Sequence, residues 1–262
     1  MQSSFRYVAF PRICAYLPDR VAQMEYEYVS ALSPGEYLTR MLAGWRRFGK
    51  VMFRPRCADC QECRAVRVRV ADFRPDRSQR RARKANEGEV VLRIGAPSVS
   101  REKLALYDVY HASQAEEKGW PEHPVEDAAS YAESYVYHPF PIEEWCYYVG
   151  EKLVGVGYVD PLPHPPVAIP ADGAEGRQPL PLVGASADVA GLSAIYFFYD
   201  PDERQRSLGT WNVLCLIDEV KRRGLPYLYL GYHVAGCRSL EYKANFRPNQ
   251  VRGDDGVWRN FR

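Results

Sequence analysis

The sequence predicts an α+β (or α/β) fold built on a mixed sheet, and three observations carry that prediction. Val66, Val68 and Val70 alternate with Arg67 and Arg69, the period-two pattern of a half-buried strand. Ser33-Pro-Gly-Glu36 is a capping box with proline at its first helical position, which opens a helix. Residues 192–244 read strand, turn, helix, strand, short helix, an order that implies a mixed sheet. With 262 residues, 46% hydrophobic and 26% charged, the chain makes one large domain or two small ones and is not disordered.

The elements follow in order. Behind the capping box, Tyr37, Met41 and Trp45 recur at near-helical spacing, and Gly44 and Gly49 bracket the end. A short apolar run, a cysteine cluster and the valine strand come next. Residues 74–84 read as a basic turn entering a helix. Leu104, Leu106, Tyr107 and Tyr110 mark a further helix, and Trp145–Val149 and Val154–Val159 read as a hairpin turning at Glu151-Lys152. Seven of the 20 prolines fall between Pro161 and Pro181, so 161–190 is expected to be a loop or insertion. A strand resumes at Leu192–Tyr199 and ends at Asp200-Pro201. A helix runs from near Leu208 to Arg223 with Gly224 as its C-cap. The strand Leu225–Val234 and a short helix near Arg238–Ala244 complete the series. The expected division is a Cys-containing, basic unit at 1–90 and a second unit at 100–262 that carries the insertion.

Composition excludes several classes. A formal charge of +2 gives no global attraction to nucleic acid, so only a local concentration of charge points to one. No run of about 18 apolar residues exists to span a membrane, and the start lacks the apolar stretch of a secretory signal. Seven cysteines, three of them in one cluster, fit a reducing cytoplasm better than a disulfide framework.

Three constellations carry chemistry. Cys57-x-x-Cys60-x-x-Cys63 has the spacing of soft metal ligation, with Cys14 as a conditional fourth ligand for zinc or an iron–sulfur cluster. From Arg64 to Lys84 there are nine Lys/Arg and two acids. Arg77, Arg80, Arg81 and Lys84 share one helical face beside Ser78 and Gln79, a set suited to phosphate contacts. Arg206-Ser-Leu-Gly209-Thr-Trp211, between a strand and a helix, offers backbone N–H groups to a phosphate. It resembles the pyrophosphate loop of the acetyltransferase superfamily, with Trp211 where that loop has a small residue. No Ser/His/Asp arrangement stands out. His111, His123, His138 and His164 read as surface or satisfied residues, whereas His233 at a strand end is a cleft candidate. Cys146, Cys215 and Cys237 read as packed thiols.

Several motifs together are more specific. Cys14-Ala-Tyr-Leu-Pro, Gly44-Trp-Arg-Arg-Phe-Gly49, Arg54-Pro-Arg-Cys57 and Phe73-Arg-Pro-Asp-Arg-Ser-Gln-Arg-Arg81 occur in one half. Leu192-Ser-Ala, Phe198-Tyr-Asp-Pro201, Arg206-Ser-Leu-Gly209 and Leu225-Pro-Tyr-Leu-Tyr-Leu-Gly-Tyr232 follow in the other. In this order they resemble the arginyl-tRNA–protein transferase family, in its short bacterial aspartate/glutamate leucyltransferase branch. The resemblance implies an acetyltransferase-like (GNAT-type) mixed sheet in the C-terminal half. It also implies a cytoplasmic enzyme that moves leucine from Leu-tRNA to the α-amine of proteins beginning with Asp or Glu, creating an N-degron. The alternatives are arginyl transfer from Arg-tRNA, a non-catalytic RNA-binding protein, and a coenzyme A-dependent N-acetyltransferase. No cofactor is required for transfer. Leu17 stands where eukaryotic relatives have a second cysteine three positions after the first. On this reading Arg77, Ser78, Gln79, Arg80, Arg81, Lys84, Arg206 and Gly209 bind tRNA. The acceptor's acidic side chain needs a cation in a partly buried site, and Lys243, Arg238 and Arg67 are the candidates.

Overall fold

The computed structural model describes residues 5–122, 124–137, 139–162 and 189–262. Two sheets share the chain. The smaller takes β1 (Phe5–Val8), β4 (Met24–Tyr28), β6 (Val51–Pro55) and β5 (Arg46–Phe48) in that order, and a two-residue ladder joins β2 (Arg12–Ile13) to β3 (Val21–Ala22). The larger sheet has eight strands in the order β14 (Trp258–Asn260), β13 (Asn249–Arg252), β7 (Arg64–Arg69), β12 (Tyr227–His233), β11 (Gly191–Tyr199), β10 (Lys152–Leu162), β9 (Glu143–Val149), β8 (Val90–Gly95). All neighbours are antiparallel except β11 and β12. The sheet is mixed because a helix, α5 (Leu208–Arg222), carries the chain between those two parallel strands.

Helices cover both faces of the large sheet. On one, α5 buries Leu214, Leu216, Ile217 and Val220 against Val66, Val68 and Leu228. Each such side chain contributes roughly 1.5–3 kcal/mol of transfer free energy. On the other, α3 (Arg101–Lys118) and α4 (Ala128–Tyr135) set Leu106, Tyr107, Tyr110, Tyr131 and Tyr135 against Tyr158 and Phe198. The remaining helices are α1 (Pro34–Leu42), α2 (Arg77–Asn86) and α6 (Arg238–Glu241), the last continuing as a tight 3-10 turn over Tyr242–Asn245.

The expected start signals operate as read. Ser33 accepts from the Glu36 amide while Glu36 Oε2 accepts from the Ser33 amide at 2.9 Å, and α1 begins at Pro34. Trp45 lies beyond the helix end, because α1 stops at Leu42, yet it joins Tyr37 and Met41 in the same cluster. Gly224, with φ +67°, follows α5. The valine strand differs from expectation. β7 is central and buried on both faces, so Arg67 also faces protein, and Val70 belongs to a 3-10 turn. β10 runs through Leu162, so the expected insertion starts later than 161, and its interior, 163–188, lies outside the described residues. Strands from both sides of residues 90–100 share the large sheet, β7 preceding that stretch and β9 following it.

One ion pair ties the small sheet to the large one. Arg47 on β5 donates through Nε to Asp160 Oδ2 on β10 at 2.5 Å and through Nη2 to Oδ1, and Tyr37 also donates to Asp160. Both charged side chains are fully buried.

Candidate active site

Pairing between the parallel strands is short. It spans Gly191↔Tyr227 to Ser193↔Tyr229 and ends there, although β11 continues to Tyr199 and β12 to His233. Gly191 permits the tight start: a Cβ there would lie 2.1 Å from the Tyr227 carbonyl oxygen. Beyond Ser193 the strands part, and a cavity of about 750 Å³ opens between them. Ligands of sheets with parallel strands gather at such carboxyl ends, beside helix N-termini.

The lining of that cavity is one-sided in charge. Arg46, Arg47, Lys118, Arg204, Arg238 and Lys243 all contribute, and among the described residues no Asp or Glu does. The rest is aromatic and apolar, including Tyr110, Trp120, Tyr196, Tyr199, Leu216 and Leu230. Lys118, Arg204 and Arg238 are exposed and stand at the mouth, whereas Arg46 and Arg47 are buried. Arg204 is paired with Glu117, and Arg47 with Asp160. Burial, then Arg238, lowers the proton affinity of Lys118.

Lys243 reaches the cavity from the turn after α6 and donates to the Tyr232 carbonyl oxygen at 3.1 Å. Burial first, and Arg46 second, lower its pKa to about 7. Its folded value lies below the ordinary lysine value, so the unfolded chain binds more protons between about pH 7 and 10. The stability contribution of this group therefore rises with pH through that window. Lys243→Met should be more stable than the parent at pH 6, with the advantage shrinking by pH 9. Denaturation midpoints of the two proteins at both pH values check this.

Ser207 and Gly209 line the cavity at the N-terminus of α5. Ser207 takes a left-handed conformation, φ +53°, and its carbonyl accepts from the Thr210 and Trp211 amides. A Cβ on Gly209 would meet nothing within 4 Å, so the glycine leaves space on the cavity side rather than relieving a clash within the chain. Arg206 itself is not in the lining. Its Nε is bonded to Glu203 at 2.8 Å and its Nη1 to the Ala85 carbonyl at 3.2 Å. That second bond, with Asn86 Nδ2 to the Arg206 carbonyl at 2.7 Å, fastens the end of α2 to the loop.

On α2, Arg77, Arg80, Arg81 and Lys84 are exposed, and none forms an ion pair among the described residues. Arg80 Nη1 rests on the Pro75 carbonyl. Ser78 is also exposed and donates to Asp76. Gln79 departs from the expected phosphate contact. It is 2% exposed, its Oε1 accepts from the Asp76 amide and its Nε2 donates to the Asn245 carbonyl, so it caps the helix and packs it. The four cations form a face on a helix whose far end is bonded to the cavity loop.

Arg67 is not brought to Lys243. It is buried in an aromatic cage, 3.7 Å from the Tyr227 ring centroid and 4.4 Å from that of Trp258, and bonded to Gln250 and Tyr229. His233 is buried outside the cavity lining, with neither ring nitrogen bonded. His111 is satisfied by the Tyr107 carbonyl and the Tyr196 hydroxyl, each at 2.8 Å. His123, His138 and His164 lie outside the described residues.

The metal expectation is corrected. Cys14, Cys57, Cys60 and Cys63 do line one pocket, but among the described residues no three Cys, His, Asp or Glu side chains are placed to hold one ion. Cys57 Sγ is turned to the Gln23 backbone at 3.4 Å, and Cys60 Sγ accepts from Arg20 at 3.4 Å. Burial pushes the Cys63 thiol up to about 12, helped by the neighbouring cysteines. This arrangement does not fit zinc or a cluster. Cys146, Cys215 and Cys237 are free thiols, and burial raises the first two to about 12.

Comparison with known proteins decides the lineage. Residues 12–81 match the model of the arginine-tRNA-protein transferase N terminus, and residues 183–253 match that of its C terminus. An aspartate/glutamate leucyltransferase of Campylobacter jejuni (strain 81-176) is 35% identical over 241 residues, 91% of this chain and 88% of that one. The chain belongs to the arginine-tRNA-protein transferase family. Relatives in this family with the same leucyltransferase name come from Stenotrophomonas maltophilia, 35% identical over 95% of this chain and 89% of theirs, and Nitrosococcus oceani, 32% identical over 95% and 92%. Among solved structures, L-PGS from Bacillus licheniformis aligns over 83% of this chain and 60% of its own, with TM-score 0.43 and 15% identity, too loose a likeness to argue from. No described helix of this transferase is long and apolar enough to cross a membrane. Sequence reasoning missed Arg46 as a site residue. The signal was present in Trp45-Arg-Arg-Phe48, where two charges interrupt an aromatic-flanked strand.

Proposed function

We propose that this chain is an aspartate/glutamate leucyltransferase. It moves the leucyl group of Leu-tRNA to the α-amine of proteins beginning with Asp or Glu, in the cytoplasm, and the product is an N-degron. The observation that carries this reading is the cavity at the parting of β11 and β12, whose described lining residues include six cations and no carboxylate. It suits two anionic partners, a tRNA 3′ end and an acidic N-terminus, and its aromatic wall suits an apolar aminoacyl side chain.

The same wall separates the two donors. A leucyl side chain gains from the aromatic and apolar wall around Tyr196 and Leu230, whereas an arginyl guanidinium would be buried among cations with no carboxylate of the described residues to meet it. The chemistry asks little acid–base help. The ester carbonyl is already activated, the neutral amine nitrogen attacks it, the bond to the ribose oxygen breaks, and the proton lost by the nitrogen ends on that oxygen as the ribose hydroxyl. An α-amine of pKa about 7.7–8.0 is partly neutral at pH 7, and nearby cations disfavour its protonated form further. Positioning and the free N–H groups at the start of α5 supply the acceleration.

In this reading the exposed face of α2, with Arg77, Arg80, Arg81 and Lys84, holds the tRNA. The loop Ser207–Gly209 receives its 3′ end, Lys118 and Arg238 flank the mouth, and Lys243 faces the acceptor. The C-terminal half is then acetyltransferase-like, with α5 crossing between parallel strands, and the unit at 1–90 supplies the basic helix. Trp211, where coenzyme A-binding loops have a small residue, speaks against that cofactor. The test is direct: a peptide beginning with Asp, incubated with Leu-tRNA and the protein, should gain the mass of one leucyl residue at its α-amine. No mass gain with an Asp or Glu peptide, alongside gain from acetyl-coenzyme A, would replace this reading with the acetyltransferase one.

A further inference from the structure

We propose that Arg46, with Lys243 beside it, reads the side-chain carboxylate of the acceptor and so restricts transfer to N-terminal Asp or Glu. This rests on the leucyltransferase reading above. The case begins with an imbalance. Several buried or half-buried arginines of this region have acidic partners: Arg47 has Asp160, Arg40 has Glu27, and Arg54 has Glu25. Arg67 has none, but aromatic faces and two hydrogen bonds meet its charge. Arg46 is 8% exposed, forms no ion pair with a described residue, and donates to the Ala194 carbonyl through Nη2 at 2.8 Å. A guanidinium carries five N–H donors, so most of its capacity is unspent.

A buried charge without a counter-charge is costly unless a ligand provides one. The position fits a ligand, because Arg46 and Lys243 line the same cavity. The fold makes room for the guanidinium. The β7–β12 register slips between Tyr229 and Gly231, and a Cβ on Gly231 would come 3.4 Å from Arg46 Nε and Nη2. Burial lowers the proton affinity of Arg46, although Tyr37, Tyr232 and Asp160 raise it, and burial followed by Arg46 lowers that of Lys243.

The chemistry of the reaction names that anion. Phosphates of the donor lie on the 5′ side of the terminal nucleoside, and the exposed Lys118 and Arg238 meet that approach at the mouth. Past the ester, the donor carries only an α-ammonium and an apolar side chain. The acceptor brings an amine, a neutral peptide and its first side chain. When that side chain is Asp or Glu it is the one carboxylate near the reacting carbonyl, and a guanidinium fork matches it bidentately.

The experiment measures leucyl transfer to peptides that differ only in their first residue, Asp, Asn, Glu or Gln. For Arg46→Gln the KM for the Asp peptide should rise by about 30-fold or more, the preference for Asp over Asn should collapse, and KM for Leu-tRNA should stay at the parent value. Arg46→Lys should recover part of the loss. An undiminished Asp-over-Asn preference in Arg46→Gln overturns the proposal. If Arg46→Gln does not fold, the parent protein decides: the pH midpoint for amine labelling of Lys243 should rise with the Asp peptide bound and not with the Asn peptide. No rise overturns it too. Failure of the parent to transfer leucine to any acidic peptide would instead overturn the functional reading on which this rests.

Discussion

Asp160→Ala is expected to destabilise the fold by about 3–5 kcal/mol, the cost of leaving a buried guanidinium without its partner. Arg47 and Asp160 are both fully buried, the contact is bidentate, and Tyr37 donates to the same carboxylate. No solvent is there to take over the charge. The carboxylate sits on β10 and the guanidinium on β5, so the pair decides how the small sheet seats against the large one. It also holds the strand that carries Arg46. Denaturant midpoints measure the loss. A double variant, Arg47→Met with Asp160→Leu, should recover much of it, since matched apolar replacement of a buried pair is often neutral or better. A loss under about 1 kcal/mol in Asp160→Ala would show that water or another group reaches Arg47.

The second large effect belongs to α2. Replacing Arg77, Arg80, Arg81 and Lys84 together with Ala should weaken tRNA binding by roughly two to three orders of magnitude at physiological salt, and lower the log–log salt slope by about 3. The fold should survive. The four side chains are exposed and unpaired with acids among the described residues, and Ala82, Gln79 and Asn86 supply the buried face. The cap at Asp76 and the bonds from Asn86 and Arg206 that fix the helix to the cavity loop are untouched. Binding isotherms at several salt concentrations separate the outcomes. An unchanged slope means that this face is merely solvated.

Much of the fold was legible because its signals are local. Ser33 and Glu36 form their capping box in the sequence itself, and Gly224 stops α5 by a conformation other residues avoid. The strand–helix–strand run at 191–233 is three periodic segments in a row. What escaped was decided by partners far away. β13 and β14 are four and three residues long; β13 is a strand because it pairs with β7, and β14 because it pairs with β13. Arg67 looked like the solvent side of a half-buried strand, yet Tyr227 and Trp258 close over it. At the site, the basic face of α2 was readable from three-and-four spacing. The cavity was not. It depends on where β11 and β12 stop pairing, and on Arg46 arriving from a strand about 150 residues earlier than its hydrogen-bond acceptor Ala194. The cysteines teach the reverse lesson: spacing suited to a metal brought the thiols to one pocket without turning them to one point.

Cations in the cavity, with no carboxylate among its described lining residues, are what select both the donor and the acceptor. Competition between Leu-tRNA and Arg-tRNA for one Asp-starting peptide tests it most directly, read as the ratio of the two products by mass. A guanidinium buried among like charges costs several kcal/mol, and even about 3 kcal/mol is a ratio of roughly 150. Leucyl product is expected in excess by at least about that factor. Equal products, or arginyl product in excess, would contradict it.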